Sequence, residues 1–426
     1  MGNNLPVTAE RGTLPARPPP WCAPSPLTLW PLGPEKPYPR KVASSTGGGN
    51  PTRIPGATAG SVSGVTGAPG GMPLLHVSGS HREVGRQVGA ATAATIRAAV
   101  DFDAQLPPGR TREAQLELSA AHRDATLRST PWLVEEIDGA AEGAGVDPLA
   151  LFAASIEEIW SVRPSQASAD VVQGRCSDLV AVPPATADGH VWVAHNNDLS
   201  PSSEAAAVAI EWRVPGEPVV FSLGIGPWIS VGWNSAGLSL TGNELSPNDN
   251  RIGVPRLLMV REQLTATTLD AAVAMALRPD RASSYNTVLA HRDGRVVDVE
   301  GSATDAELVR PSAPGTLAHT NHYACERMLR YEGDPAYTRT SAVRLDRALE
   351  LLDGPSGAGP APGTVTGDAL FAAICDHGTR PSICRHDDEG ESSATCFWCL
   401  ADVTAGVVAY GRGNPCRGNR AEYRFR

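Results

Sequence analysis

The chain has 426 residues, 41% hydrophobic and 19% charged, enough for a sizeable core in two or three domains or one large one. A net charge of −10, with 36 basic against 46 acidic residues, argues against a phosphate-neutralising surface and so against nucleic acid as a partner. No run of about 18 apolar residues is present, which excludes a membrane-spanning helix and leaves no membrane partner expected.

The averages hide a split. Residues 1–71 hold 14 of the 37 prolines and 12 of the 43 glycines, a composition that buries too little apolar surface to offset chain entropy. They read as a disordered tail, or as the result of a start codon placed ahead of a true one at Met72. The first residues lack the charged start and apolar core of a secretory signal, and eight cysteines are too sparse for a disulfide framework. A cytoplasmic protein with reduced thiols is expected.

From Gly79 the run GSHREVGRQVG opens an Ala-rich helical pattern that ends before Leu106-Pro107-Pro108-Gly109. A second helix is predicted over roughly 111–127. A third starts at Thr130-Pro131, with proline at a first helical position, and a fourth covers DPLALFAASIEEIW. Residues 72–165 are therefore mostly helical. At Cys176 the character changes to strand: CSDLVAVPPATADGHVWVAHNND reads as a hairpin with its turn between Pro183 and Gly189. Further strands are predicted at AVAIEWRV, PVVFSLGI, WISVGWN, AGLSLTGN, on both sides of Asp293-Gly294, and on both sides of Thr404-Ala405-Gly406. Helical patterns intervene at 255–276 and 340–353. Two sheets with helices outside suit that succession.

A hairpin centred between Thr186 and Ala187 sets Cys176 opposite Asn197 and beside Asp198, so that a thiol and a carboxylate meet at the end of a strand pair. A thiol with a pKa of about 8.5 needs a base to act as a nucleophile. Two are available. His195 is close in sequence, and a free α-amino group, with a pKa of about 7.7–8.0, would belong to Cys176 if the chain were cut before it.

GSHREVGRQVGA, PWLVEEIDGAAEGAGV, GRCSDLVAVPP, GHVWVAHNND, GWNSAGLSLTGNE, HTNHY and GNPC, in that order over residues 79–420, resemble the isopenicillin N acyltransferase family. Its members are N-terminal-nucleophile (Ntn) hydrolases that make their own active site by cutting before a cysteine. The resemblance implies an α+β fold, a four-layer αββα sandwich preceded by a mostly helical pro-segment at 72–175, with the catalytic chain at 176–426. It implies that Cys176 first attacks the Arg175 carbonyl, leaving chains of 175 and 251 residues that stay associated, and then serves as the nucleophile with its own amine as base. Asp198 matches the carboxylate that supports the ammonium. Asn321 matches the oxyanion-hole amide, a donor worth roughly 3 kcal/mol in comparable sites. Ser302 and Thr395 lie where family hydroxyls occur.

The expected function is an autoproteolytic acyltransferase or amidohydrolase working through a Cys176 acyl-enzyme on a small-molecule acyl donor or amide. No cofactor is expected, and acyl-coenzyme A is one possible acyl donor. The alternatives are pure hydrolysis of N-acyl amines or β-lactam-type amides, and a non-catalytic binding protein that kept the fold. Cys396-Phe397-Trp398-Cys399 imitates a zinc motif, with Cys384 and His386 near it. A zinc knuckle needs a turn between its thiols, however, and ATCFWCLADV reads as one continuous strand, so no metal is expected. His319 and His322 fall in a strand or loop, GWNSAGL reads as a hairpin turn, and tryptophans 212, 228 and 233 as core and pocket wall.

Overall fold

Thr66–Gly67 (β1) pairs with Pro73–Ser78 (β2), Thr66 opposite Leu74, so strand pairing begins ahead of Met72, inside the stretch expected to be disordered. The computed structural model describes residues 66–67, 71–160, 175–333, 335–354, 357–387 and 393–425; the rest of the expected tail, and Gly174 in the GRCSD block, lie outside them.

The helical unit follows the sequence closely. Ser80 and Glu83 form a reciprocal capping box at the start of helix α1 (His81–Ala91), which is followed by α2 (Ala93–Val100). Thr111 caps α3 (Arg112–Ser129), Pro131 opens α4 (Pro131–Ala144), and Asp147 caps α5 (Pro148–Ala154). Helices α1 and α4 touch through glycine. A Cβ added to Gly85 or Gly89 would lie 2.0 Å from Glu136 O or Ala140 O, and one on Gly139 or Gly143 would lie 2.2 or 2.1 Å from Arg82 O or Arg86 O.

The remaining strands alternate with short helices: β3 (Arg175–Ala181), β4 (Trp192–Leu199), β5 (Ala207–Arg213), β6 (Val220–Ile225), β7 (Trp228–Asn234) and β8 (Leu238–Asn243). The helical pattern at 255–276 is two helices, α6 (Arg256–Gln263) and α7 (Leu269–Ala276), because the Thr268 side chain accepts from Ala271 N and starts a new helix. Then come β9 (Asn286–His291), β10 (Val296–Gly301), β11 (Ala306–Val309), β12 (Thr316–His319), α8 (Pro335–Asp353), α9 (Gly367–Ile374), β13 (Ala394–Asp402), β14 (Val407–Arg412) and β15 (Ala421–Arg424).

One sheet has nine strands in the order β1-β2-β5-β6-β7-β8-β9-β10-β11, and the other has six, in the order β12-β3-β4-β13-β14-β15. Phe221, Leu223, Val231 and Trp233 of the first pack against Val180, Val193, Phe397 and Tyr410 of the second. The outer face of the larger sheet, with Ile210, Trp212, Leu240 and Leu289, is covered by Val260 and Leu264 from α6 and by Leu269 and Ala272 from α7. Leu345 and Ala348 of α8 and Leu370 and Ala373 of α9 cover the smaller sheet. The layers are therefore αββα, as the resemblance implies. Strand β2 was not anticipated. It pairs parallel to β5, Leu75 opposite Ile210, and so builds the otherwise helical N-terminal unit into the larger sheet. Trp212 and Trp233 are buried, and Trp212 and Trp228 line a cavity of about 60 Å³, as expected for core and pocket wall. Among the described residues no helix is long and apolar enough to cross a membrane.

Candidate active site

Strands β3 and β4 pair with Cys176 opposite Asn197 and Arg175 opposite Asp198, the expected register. On the other side of β3 lies β12, with His319 opposite Asp178, so the loop that continues it carries Asn321 to the end of β3 where Cys176 sits. Side chains alternate along each strand. Cys176, Asp178, His195, Asn197 and His319 therefore share the inner face, and His319 reaches Asn243 Oδ1 (3.2 Å) and Glu300 Oε1 (3.0 Å) of the opposing sheet. Ser177, Asn196 and Asp198 turn to the helix side, where Asn196 Nδ2 donates to Ile374 O at 2.8 Å.

Cys176 is buried, and both of its backbone polar groups are held. Its N–H donates to Asn321 Oδ1 at 2.6 Å, and its carbonyl accepts from Arg344 Nη1 at 2.6 Å. The same guanidinium donates to Ser177 Oγ (2.9 Å) and to Asn321 Oδ1 (3.0 Å). Two donors on Oδ1 fix the orientation of the Asn321 amide, and its Nδ2 donates to Glu244 O at 3.1 Å. Asn321 N donates to Ser341 Oγ at 2.6 Å, while Glu300 accepts from Ala324 N (2.7 Å) and Cys325 N (3.0 Å), which braces both sides of the HTNHY turn.

On the thiol's face, His195 Nδ1 lies 3.0 Å from Asp178 Oδ1, and the imidazole is also hydrogen-bonded to the Cys176 side chain. Burial by itself would depress this histidine. The charge and hydrogen bond of Asp178, reinforced by Cys176, outweigh it and hold the imidazole up at about 10. A protonated ring beside the sulfur is the setting in which thiolates form. His319 is likewise raised: burial lowers it, and the Asp298 and Glu300 carboxylates more than reverse that.

Asp198 is also fully buried. Its Oδ1 accepts from Thr395 Oγ1 at 2.7 Å, and its Oδ2 lies 3.9 Å from Arg385 Nε. Loss of solvation raises its carboxyl to about 6 against the charges of Arg385 and Arg344 and the Thr395 bond. The expected meeting of thiol and Asp198 needs correcting. The register is as read, but strand alternation turns Asp198 away from the sulfur, and the carboxylate on the thiol's own side is Asp178, acting through His195. Thr395 stands beside Asp198. Ser302 is in a turn after β10, where its hydroxyl donates to Asp249 Oδ2 at 2.9 Å and its N–H to Asp305 O at 2.8 Å. The GWNSAGL turn is held by Asn234 Oδ1, which accepts from Ala236 N and Leu238 N at 3.0 and 3.1 Å.

Sequence reasoning missed Asp178, Arg344 and Arg385. For Arg344 a signal existed: Ser341, Arg344, Leu345, Ala348 and Leu352 form one buried helical stripe of α8, with an arginine at a core position.

Residues 185–390 match the family model described as acyl-coenzyme A:6-aminopenicillanic acid acyl-transferase, a span holding Asp198, Ser302 and Asn321 but starting after Cys176. The 40 kDa form of the acyl-coenzyme A:6-aminopenicillanic-acid-acyltransferase of Emericella nidulans is 24% identical over 357 residues, covering 80% of this chain and 93% of that protein. Among solved structures, a mutant conjugated bile acid hydrolase from Clostridium perfringens aligns with a TM-score of 0.37 and 11% identity, over 56% of this chain and 89% of that one. A penicillin V acylase from Agrobacterium tumefaciens aligns with a TM-score of 0.33 and 12% identity, over 56% and 83%. Over residues 185–390, and along most of its length, the chain is thus similar to acyl-coenzyme A:6-aminopenicillanic acid acyl-transferases.

Proposed function

We propose that the protein is a self-processing cysteine acyltransferase or amidohydrolase with Cys176 as its nucleophile. The observation that carries this reading is the environment of Cys176: N–H on Asn321, C=O on Arg344, and thiol against the His195–Asp178 pair. In the intact chain the Cys176 nitrogen is an amide and cannot act as a base, whereas the protonated His195 ring is already in contact with the sulfur and favours its thiolate form.

In the first step the sulfur, its proton already given up beside the protonated His195 ring, adds to the Arg175 carbonyl carbon. The C–N bond to Cys176 then breaks, the nitrogen takes up a proton, and a thioester is left on the sulfur. Water opens that thioester, releasing the Arg175 carboxylate and a free thiol beside a new α-amine. In turnover the same sulfur attacks a substrate carbonyl, the leaving amine or thiol departs with a proton, and water or an amine takes the acyl group from the enzyme. An acyl-coenzyme A would enter as a substrate and not as a resident cofactor.

Intact mass tests the reading. Wild-type protein should give chains ending at Arg175 and starting at Cys176, and Cys176→Ala a single uncut chain. Scission at the same bond in Cys176→Ala would refute self-processing. An uncut wild-type chain whose Cys176 resists a thiol-reactive electrophile would instead favour a binding protein.

A further inference from the structure

Away from Cys176, four thiol and imidazole side chains converge from three segments. His377 lies just beyond α9, Cys384 and His386 lie in the loop leading to β13, and Cys416 lies in the 3-10 turn after β14. Their ligand atoms all fall within 4.8 Å of one another. We propose that His377, Cys384, His386 and Cys416 form a structural zinc site.

The distances match a tetrahedron. With Zn–S of about 2.3 Å and Zn–N of about 2.05 Å, tetrahedral angles give edges of about 3.8 Å for S···S, 3.6 Å for S···N and 3.3 Å for N···N. The structure has 3.6 Å between Cys384 Sγ and Cys416 Sγ, and 3.8 and 3.4 Å from those sulfurs to His386 Nε2. His377 Nε2 and His386 Nε2 are 3.0 Å apart. The sulfurs are far outside the disulfide length of about 2.05 Å. Two thiolates and two neutral imidazoles are a borderline-soft, charge-neutralising set that suits Zn²⁺ and leaves no open position. Asn414 Nδ2, 3.6 Å from Cys384 Sγ, supplies an outer donor to a thiolate. The other nitrogen of His386 has Arg417 Nη2 at 3.5 Å, at the limit of a hydrogen bond, and that exposed guanidinium has Asp387 Oδ1 at 3.8 Å as its alternative partner.

The chain at 384–386 lies beside β13: Arg385 N donates to Thr395 Oγ1 and Thr395 N to Arg385 O, each at 3.0 Å. Cys384 and His386 meet on one side of this segment, and the buried Arg385 guanidinium turns instead toward Asp198. A metal on one side of this segment fixes the cation on the other. The sequence motif considered for zinc, Cys396-x-x-Cys399, is the wrong pair. Both of its thiols lie in β13, and Cys384 and His386 find their third and fourth partners in His377 and Cys416.

Metal content of the purified full-length protein is the test. Wild type and Cys176→Ala should each carry about one zinc per chain, and the exposed-ligand variants Cys416→Ser and His377→Ala less than about a tenth of that. Replacement with Co²⁺ should give the visible bands and thiolate charge transfer of a tetrahedral Cys₂His₂ site, lost in Cys416→Ser. Wild type without zinc that also gives no tetrahedral Co²⁺ spectrum would overturn the proposal, as would a Cys384–Cys416 disulfide found by mass spectrometry before reduction.

Discussion

Cys176 has a different second partner in each proposed stage. Before the cut its thiol has His195, and after the cut it also owns an amine. His195 has its ring held at about 10, above the ordinary 6.5, so its pairing stabilises the fold fully below pH 6.5 and fades as pH climbs toward 10. Urea unfolding of wild type and His195→Gln should therefore converge across that window, and His195→Gln should slow the appearance of the two chains by roughly 10²-fold or more. Equal cutting rates would remove His195 from the first step. Asp198 has the opposite sense. Its carboxyl is raised from 3.8 to about 6, so the fold holds its proton tightly and loses stability as pH rises through that range. If the ionised form supports the ammonium of the cut enzyme, turnover should show an acid limb near pH 6 that Asp198→Asn abolishes. A limb unchanged in Asp198→Asn would assign it elsewhere. The hairpin register put Cys176, Asn197 and Asp198 at one strand end from the sequence alone, because two short strands and a turn leave little freedom. Arg344 and Arg385 were not legible in the same way, since they reach the site from separate segments after β12 and α9, and nothing local in sequence says which buried arginine meets which carbonyl.

Helices α1 and α4 carry two of the seven blocks that resemble the acyltransferase family, and their structure says why those blocks look as they do. Gly85 and Gly89 on one helix and Gly139 and Gly143 on the other let the backbones meet with no side chain between. Alanine is the better helix former by about 1 kcal/mol, yet a methyl at Gly89 would sit 2.0 Å from the Ala140 carbonyl. Gly89→Ala should accordingly lower stability by roughly 1–3 kcal/mol, the usual cost of overpacking, as read from the denaturant midpoint. A neutral or stabilising outcome would show that the helices can separate freely. The long helices and the central strands were readable because their apolar periods run over several turns or pairs. Strand β12, four residues long, and helix α9, eight residues long, carry too little period to announce themselves, and the two helices at 255–276 merged because the Thr268 cap lies inside one apolar stretch.

At the scale of the molecule, residues ahead of Cys176 are not an appendage. Strand β2 fills a place in the larger sheet beside β5, α4 packs against α6, and Glu157 and Glu158 grip Arg256 at 2.7 and 2.8 Å. Arg256 in turn holds Glu244 Oε1 at 3.0 Å, and the Glu244 carbonyl receives Asn321. The two chains left by a cut at Arg175 should co-elute on gel filtration in native buffer and separate only in denaturant. Residues 176–426 made alone should be insoluble or misfolded, with β5 left as an open edge. A soluble, active 176–426 fragment would contradict this.

The parallel pairing of β2 with β5 also bears on how the protein is made and lost. In the uncut chain, bringing these strands together is a loop closure within one polypeptide, with a cost that grows only slowly with loop length. If the proposed cut at Arg175 takes place, the same contact afterwards joins two molecules. Refolding of the processed protein should therefore depend on concentration, while Cys176→Ala should refold at a rate independent of it. Once unfolded at low concentration, the mature form would have no efficient way back to its native state.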